Sequence, residues 1–253
     1  MLTNEQLAHW RTFGFLILRS LFSKDEIDEI RREFDLVMDE ELDGKPFDGQ
    51  KTKTVLWFVE HRTKLARLAE DDRIYNRVEQ ILGPGILWAL SDGNYYVGDT
   101  QWHGGNGEPP VLEHIKVAIY PDSVTKDLGC LRVIPGSQHQ EFQQQIKALK
   151  AQHENPMAMP FGVAGVDVPA FPLESEAGDV VFFSENLWHG SFGGRPGRRM
   201  FTLIYSANPD TDQKRDWLRE FRKSTIAMYK PHESFVNSDS PRIRSMVDTY
   251  AEL

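Results

Sequence analysis

Short strand-like segments separated by turn residues recur from residue 87 onward, and this pattern constrains the fold more than any other feature. Six strands are predicted, at residues 87–91, 95–97, 114–120, 131–134, 179–184 and 199–206. Several short strands at this spacing are typical of a barrel or of a two-sheet jelly roll. The sequence therefore predicts a mainly β protein with flanking helices, built as a barrel or as a two-sheet jelly roll.

Helical patterns flank the predicted strands. Thr3 precedes a helix with Gln6 three residues on, the signature of a capping box, and Ser23 is predicted to cap a second helix. Further helices are predicted at residues 140–152, 212–229 and from the Ser240-Pro241 pair to about residue 250. We expect a single domain over residues 1–253, with N-terminal helices (1–85), a jelly-roll core (about 86–208) and C-terminal helices (209–253).

Residues 43–60 are rich in glycine, proline and charge, which predicts a mobile loop. Two interpretations are open for its aromatic pair, Trp57 and Phe58. They cover a pocket as part of a lid, or they are ordinary core aromatics.

Two histidines occur in the same unusual setting. His103 and His189 each follow a tryptophan and precede a glycine, in Gln101-Trp102-His103-Gly104-Gly105 and Leu187-Trp188-His189-Gly190-Ser191. Glycine makes no side-chain contacts and is tolerated where something must approach the backbone closely. An exposed turn after a strand would explain one such site, but two of them predict a metal ion held by both histidines.

Charge and cysteine content exclude several classes of protein. The net charge of −9 and pI near 5.4 argue against a polymeric nucleic-acid partner or an anionic membrane surface. With Cys130 as its one cysteine, the chain has no intrachain disulfide and no multi-cysteine zinc site. No signal peptide or apolar run of membrane-spanning length is visible, so we expect a cytoplasmic protein.

Two segments are similar to hallmark segments of the phytanoyl-CoA dioxygenase (PhyH) superfamily. They are Gly129-Cys130-Leu131-Arg132-Val133-Ile134-Pro135-Gly136-Ser137 and Ala177-Gly178-Asp179-Val180-Val181-Phe182-Phe183, and residues 2–18 and 21–30 also resemble that family. The resemblance covers nearly the whole chain in matching order. It implies a double-stranded β-helix (jelly-roll, cupin-like) fold and a non-haem Fe(II) site that uses 2-oxoglutarate and O₂. It also assigns His103 and His189 as the iron ligands.

The chain departs from the family at one ligand. Members carry a carboxylate two residues after the first histidine, and here that position is Gly105. Its loss opens one coordination position of the usual facial triad and removes one negative charge. The His-x-Gly pattern resembles the Fe(II)/2-oxoglutarate halogenases, in which chloride or bromide binds where the carboxylate would be, so Gly105 is predicted to mark the halide site.

Two other functions remain open. A hydroxylase could take its third ligand from elsewhere, and Asp99 and Glu108 are the nearest carboxylates. A binding protein could have lost metal chemistry altogether.

The family also holds the distal carboxylate of 2-oxoglutarate with an arginine shortly after the second histidine. Here Arg198 aligns best with it and Arg199 is the alternative one residue on; strand alternation allows only one of them to face inward. Ser191 matches a family serine that assists at the same carboxylate.

The substrate is predicted to be a free, anionic small molecule rather than one tethered to a carrier protein. Lys116 lies on the polar face of the alternating strand 114–120, and basic residues recur on the helix at 212–229. In overall character the chain also resembles the nucleotide halogenases of purine nucleoside antibiotic pathways. That implies a nucleotide such as deoxyadenosine monophosphate as substrate.

Overall fold

Two antiparallel sheets organise the computed structural model, which describes residues 1–105 and 107–251. The described strands are β1 (Phe15–Leu18), β2 (Lys53–Leu56), β3 (Leu87–Tyr96), β4 (Thr100–His103), β5 (His114–Ile119), β6 (Leu131–Val133), β7 (Phe171–Pro172), β8 (Val180–Ser184), β9 (His189–Ser191) and β10 (Arg198–Ser206). The larger sheet has the order β1-β8-β5-β10-β3-β2, and the smaller has the order β4-β9-β6-β7. This arrangement confirms the predicted jelly-roll class.

Helices flank the sheets. In the described part of the chain they are α1 (Asn4–Phe13), α2 (Lys24–Glu41), α3 (Thr63–Ala66), α4 (Asp72–Leu82), α5 (Gln140–Ile146), α6 (Ala151–Glu154), α7 (Asp212–Ser224), α8 (Glu233–Val236) and α9 (Pro241–Ser245). The predicted capping box is present at Thr3, and the predicted cap at Ser23 also forms a capping box, with Glu26. None of these helices is both long and apolar enough to cross a membrane.

Strand alternation divides the core into layers. On β5, Ile115, Val117 and Ile119 pack in the large cluster that includes Phe34 of α2, as the alternation predicted. A second cluster joins the two sheets and includes Ala118, Leu131, Val181 and Phe183. A third lies on the smaller sheet and includes Trp102 and Trp188, with Phe142 and Ile146 of α5 packed against it.

Several predicted bounds were wrong. Residues 87–96 form one strand rather than two, because Gly93 stays in register with Phe201 on one side and Val55 on the other. The helix predicted at 140–152 is broken into α5, a 3₁₀ turn (Lys147–Lys150) and α6, and α7 ends at Ser224 rather than at 229. The predicted loop at 43–60 contains β2. This strand is stabilised by backbone hydrogen bonds to β3, which the polar sequence of the segment does not indicate.

Phe58 is a core residue rather than part of a lid. Its side chain is fully buried, and its ring lies 4.8 Å from that of Phe34 and 5.6 Å from that of Phe201. Trp57 is fixed as well, because its indole Nε1 donates to the carbonyl of Lys230 at 2.8 Å.

We expect Phe58→Ala to lower the free energy of unfolding by about 3–5 kcal/mol, since it leaves a large cavity in a packed core. Phe13 is 41% exposed and offers a matched control, for which the same substitution should cost less than about 1 kcal/mol. Urea unfolding followed by circular dichroism measures both. Equal losses would show that Phe58 does not pack as described.

Candidate metal centre and cosubstrate site

His103 and His189 are cross-strand partners in the smaller sheet. They lie opposite each other in the antiparallel pairing of β4 with β9, so their side chains share one face. The centroids of the two imidazole rings are 4.0 Å apart. The preceding residues, Trp102 and Trp188, are fully buried in the cluster on the smaller sheet. In each Trp-His pair the tryptophan side chain therefore points into the core, and the histidine side chain points to the opposite face, where the two histidines meet.

Each histidine is held in the tautomer that a metal requires. Nδ1 of His103 lies 2.8 Å from the carbonyl oxygen of Gln101, and Nδ1 of His189 lies 2.6 Å from that of Leu187. A carbonyl only accepts, so Nδ1 carries the proton and Nε2 keeps a free lone pair. Burial lowers the pKa of His103 to about 4 and that of His189 well below its ordinary value. Both rings are therefore neutral at pH 7, which fits a divalent metal.

The part of the chain that the structure describes offers no carboxylate to complete this pair. Among the described residues, no three His, Cys, Asp or Glu side chains are placed to hold one metal ion. Asp99 accepts a hydrogen bond from the backbone nitrogen of Gly193 at 2.8 Å. Glu108 lines the same outer cavity as both histidines. Gly105 lines that cavity too, so the residue at the family's carboxylate position lies beside the histidine pair.

Arg198 faces an inner cavity behind the histidines, and Arg199 does not. The cavity has a volume of about 90 Å³ and is lined by both histidines and by Arg198, Met200 and Thr202 from one face of β10. Arg199 lies on the other face, where its guanidinium pairs with Asp122 at 2.6 Å and with Asp35 at 2.9 Å. Of the two arginines, Arg198 is thus the one available to a ligand in this cavity.

The Arg198 guanidinium is only partly satisfied. Nη2 donates to Oγ of Ser191 at 3.0 Å, and Ser191 donates onward to the carbonyl of Gly129 at 2.7 Å. Nε and Nη1 are buried and have no hydrogen-bond partner among the described residues. A Cβ on Gly194 would lie 1.6 Å from Nη1, so a side chain there would displace the guanidinium. Unpaired buried donors on a cation are costly, which fits a site built for a carboxylate ligand.

A wider outer cavity lies on the other side of the histidine pair. Its volume is about 560 Å³, and its lining includes Trp217, Lys116 and Glu185. Lys116 also lines the inner cavity, and its Nζ lies 3.3 Å from Oε1 of Glu185. The other Glu185 oxygen lies 3.2 Å from Nδ1 of His114. Burial alone would raise the pKa of Glu185, but the Lys116 ammonium and, to a smaller extent, the adjacent His114 ring bring it below its ordinary value.

Sequence reasoning missed several residues of these cavities. Glu185, Trp217, Tyr96 and Thr202 have no motif of their own. Period-two alternation placed Tyr120 on the polar face of its strand with Lys116, and the same alternation from Arg198 would have found Thr202. Glu185 and Trp217 had no such signal, because their positions depend on how a loop and a helix pack.

A model of the phytanoyl-CoA dioxygenase (PhyH) family matches residues 10–200. The chain belongs to this family. Its curated relatives include the ectoine dioxygenase of Bordetella bronchiseptica, 25% identical over 75% of this chain and 70% of that protein. The ectoine dioxygenase of Nocardia farcinica is 26% identical over 74% of this chain and 72% of that protein.

Solved structures share the fold of this family member. HygX from Streptomyces hygroscopicus, with nickel and 2-oxoglutarate bound, has a TM-score of 0.65 at 20% identity, over 82% of this chain and 88% of that one. EctD from S. alaskensis with bound Fe has a TM-score of 0.61 at 21% identity, over 81% of this chain and 77% of that one. The non-haem α-ketoglutarate-dependent carbocyclase SnoK has a TM-score of 0.60 at 19% identity, over 81% and 84%.

We expect His103→Ala and His189→Ala each to abolish the visible absorption that Fe(II) and 2-oxoglutarate give when bound together without oxygen, because each removes one of two protein ligands. His153→Ala is the control, since that exposed ring packs beside His103 at 5.7 Å but is not needed to hold the metal. Absorption that persists in both ligand variants would contradict the assignment.

Arg198→Ala should raise the dissociation constant of 2-oxoglutarate at least about tenfold, since charged hydrogen bonds contribute about 1.5–3 kcal/mol each. Arg199→Ala is the matched control. It breaks ion pairs to Asp122 and Asp35 and should affect stability rather than 2-oxoglutarate affinity. Titration of 2-oxoglutarate into the metal-loaded protein measures both, and the reverse ranking would exchange the two roles.

Proposed function

We propose that this protein is an Fe(II)- and 2-oxoglutarate-dependent halogenase that acts on an unactivated C–H bond of a free small molecule. One observation carries the proposal. Two neutral histidines meet at ligand spacing, and the described residues offer no carboxylate to complete a metal site with them. An open coordination position beside Gly105 suits a chloride or bromide ion.

Four side chains have roles in this proposal. His103 and His189 hold the metal through Nε2, while the carbonyls of Gln101 and Leu187 fix both rings. Arg198 and Ser191 bind the distal carboxylate of 2-oxoglutarate in the inner cavity. When bound, iron with 2-oxoglutarate and O₂ supplies oxidative cleavage of the C–H bond, and the halide supplies the transferred atom. The protein contributes position, because the outcome depends on which group the substrate carbon lies nearest.

The outer cavity indicates which substrates to test first. Trp217 gives it a flat aromatic surface beside Pro109 and Pro110, which suits a planar ring. Lys116 is a cation in reach of an anionic group, but it is already paired with Glu185, so an anion has to compete for it. A nucleotide such as deoxyadenosine monophosphate supplies both a planar ring and an anion and is the first compound to test.

The basic residues of α7 give no support to an anionic substrate. Lys214, Arg215, Arg219 and Lys223 each pair with a nearby carboxylate on or next to the same helix. These four residues are better described as a solvated helix face stabilised by local ion pairs.

Hydroxylation is the second candidate function. The named curated relatives are ectoine dioxygenases, and they favour hydroxylation over halogenation. Glu108 lines the outer cavity with both histidines and is the better placed of the two predicted substitute carboxylates. The same fold and the same 2-oxoglutarate site would serve either reaction, so the third coordination position separates them.

Reconstitution without oxygen, followed by O₂ and mass spectrometry, distinguishes the two functions. The protein is loaded with Fe(II) and 2-oxoglutarate, with or without chloride, and offered nucleotides, nucleosides and other small metabolites. We expect a chlorinated product that requires chloride. If the wild type gives only hydroxylated product, at the same rate in both conditions, the protein is a hydroxylase; Glu108→Gln then tests the substitute ligand.

A further inference from the structure

The side-chain space of Gly105 is already occupied. A Cβ at residue 105 would lie 2.2 Å from Nε2, 2.4 Å from Oε1 and 2.5 Å from Cδ of Gln143 on α5. Real Cβ atoms do not approach other atoms so closely, so a side chain at 105 requires the Gln143 amide to move. Residue 105, where the family has a carboxylate, therefore carries no metal-binding side chain. The space that such a side chain would need is taken by the Gln143 amide.

Gln143 is not free to move, because its amide is fully engaged. Its side chain is 1% exposed, and Oε1 accepts from the backbone nitrogen of Gly107 at 2.8 Å. Nε2 donates to the carbonyls of Asn186 at 3.1 Å and Gln138 at 3.3 Å. Displacing it would leave buried polar groups unpaired, which costs about 1–3 kcal/mol for each group.

These bonds also join the two segments that carry the histidines. Gly105 and Gly107 follow His103, and Asn186 precedes His189 by three residues. The backbone nitrogen of Gly105 donates to the Asn186 carbonyl at 3.1 Å, the same carbonyl that Gln143 contacts. One buried amide from a helix thus braces both ligand-bearing segments at once.

We propose that Gln143 is a positioning residue that excludes a side chain from position 105, keeps the metal centre at two protein ligands and braces the segments that carry His103 and His189. This inference rests on the proposed function in one respect, namely that residue 105 is the position of the missing metal ligand. It follows that Gly105→Asp alone does not rebuild a facial triad. An aspartate at residue 105 can reach the metal only if Gln143 is also replaced by a shorter residue.

A double-mutant cycle tests the exclusion without any turnover. Gly105→Ala and Gln143→Ala should each lower the melting temperature by about 5–10 °C, because each disrupts the buried amide contacts. In the Gln143→Ala background, Gly105→Ala should cost less than about 2 °C more, since the clash is gone. If Gly105→Ala alone fails to fold, its recovery in the double variant shows the same coupling. Additive losses, or a double variant that fails to fold when Gln143→Ala folds, would overturn the proposal.

Gln144→Ala is the matched control. Gln144 is the next residue of α5 and donates to the carbonyl of Gly107 at 2.8 Å, but it is not among the nearest atoms to a Cβ at 105. The Gln144→Ala substitution should not reduce the loss of melting temperature that Gly105→Ala causes. Relief by Gln144→Ala equal to that by Gln143→Ala would show general loosening of α5 rather than a specific exclusion.

Metal affinity gives the second measurement, with Co(II) as the probe. Gly105→Asp should tighten Co(II) binding in the Gln143→Ala background and not in the wild-type background. Equal tightening in both would overturn the exclusion by Gln143. The proposed function is tested by a different result. A wild type that only hydroxylates, without need of halide, would contradict the halogenase proposal but would not affect the measured coupling between residues 105 and 143.

Discussion

The antiparallel pairing of β4 with β9 is the constraint on which the site depends. It sets His103 opposite His189, and the buried tryptophan before each histidine fixes which face the imidazole takes. A shift of one residue in either strand would turn a histidine into the core and a tryptophan into the cavity. The tautomers are set locally, since each ring donates to the carbonyl two residues before it in its own segment. The two proposed metal ligands are thus placed by strand register.

Alternation along β5 and β10 sorts the charges of the site. Arg198 and Lys116 lie on the faces that line the inner cavity, while Arg199 lies on the opposite face with Asp35 and Asp122. The two adjacent arginines therefore differ in their hydrogen bonding. Arg198 has buried donors without a partner, which a ligand could use, whereas the Arg199 guanidinium is paired with two carboxylates. Sequence reasoning could limit the choice to one of the pair, and its alignment favoured Arg198. Only the strand register shows which of them faces the cavity.

Local patterns predicted the jelly-roll class, both caps and the faces of β5, because these depend on residues close together in the chain. The short strands β4, β7 and β9 escaped prediction, since two to four residues carry too little periodicity. The same limit applies to the site. The two Trp-His-Gly segments carried a local signal for His103 and His189, but Gln143 had none. Its role depends on α5 packing beside Gly105, some forty residues away in sequence.

The charge of the site explains why an anion is expected at the third position even without a carboxylate. Both imidazoles are neutral, so the protein ligands do not offset a divalent metal. If Arg198 offsets the distal carboxylate of 2-oxoglutarate as proposed, the other carboxylate of the cosubstrate would be the one negative charge against the two metal charges. One positive charge then remains in a partly buried site, where unpaired charge is costly. A carboxylate at residue 105 would neutralise it in the usual family pattern, and with Gln143 filling that space a small halide is suited to the same task.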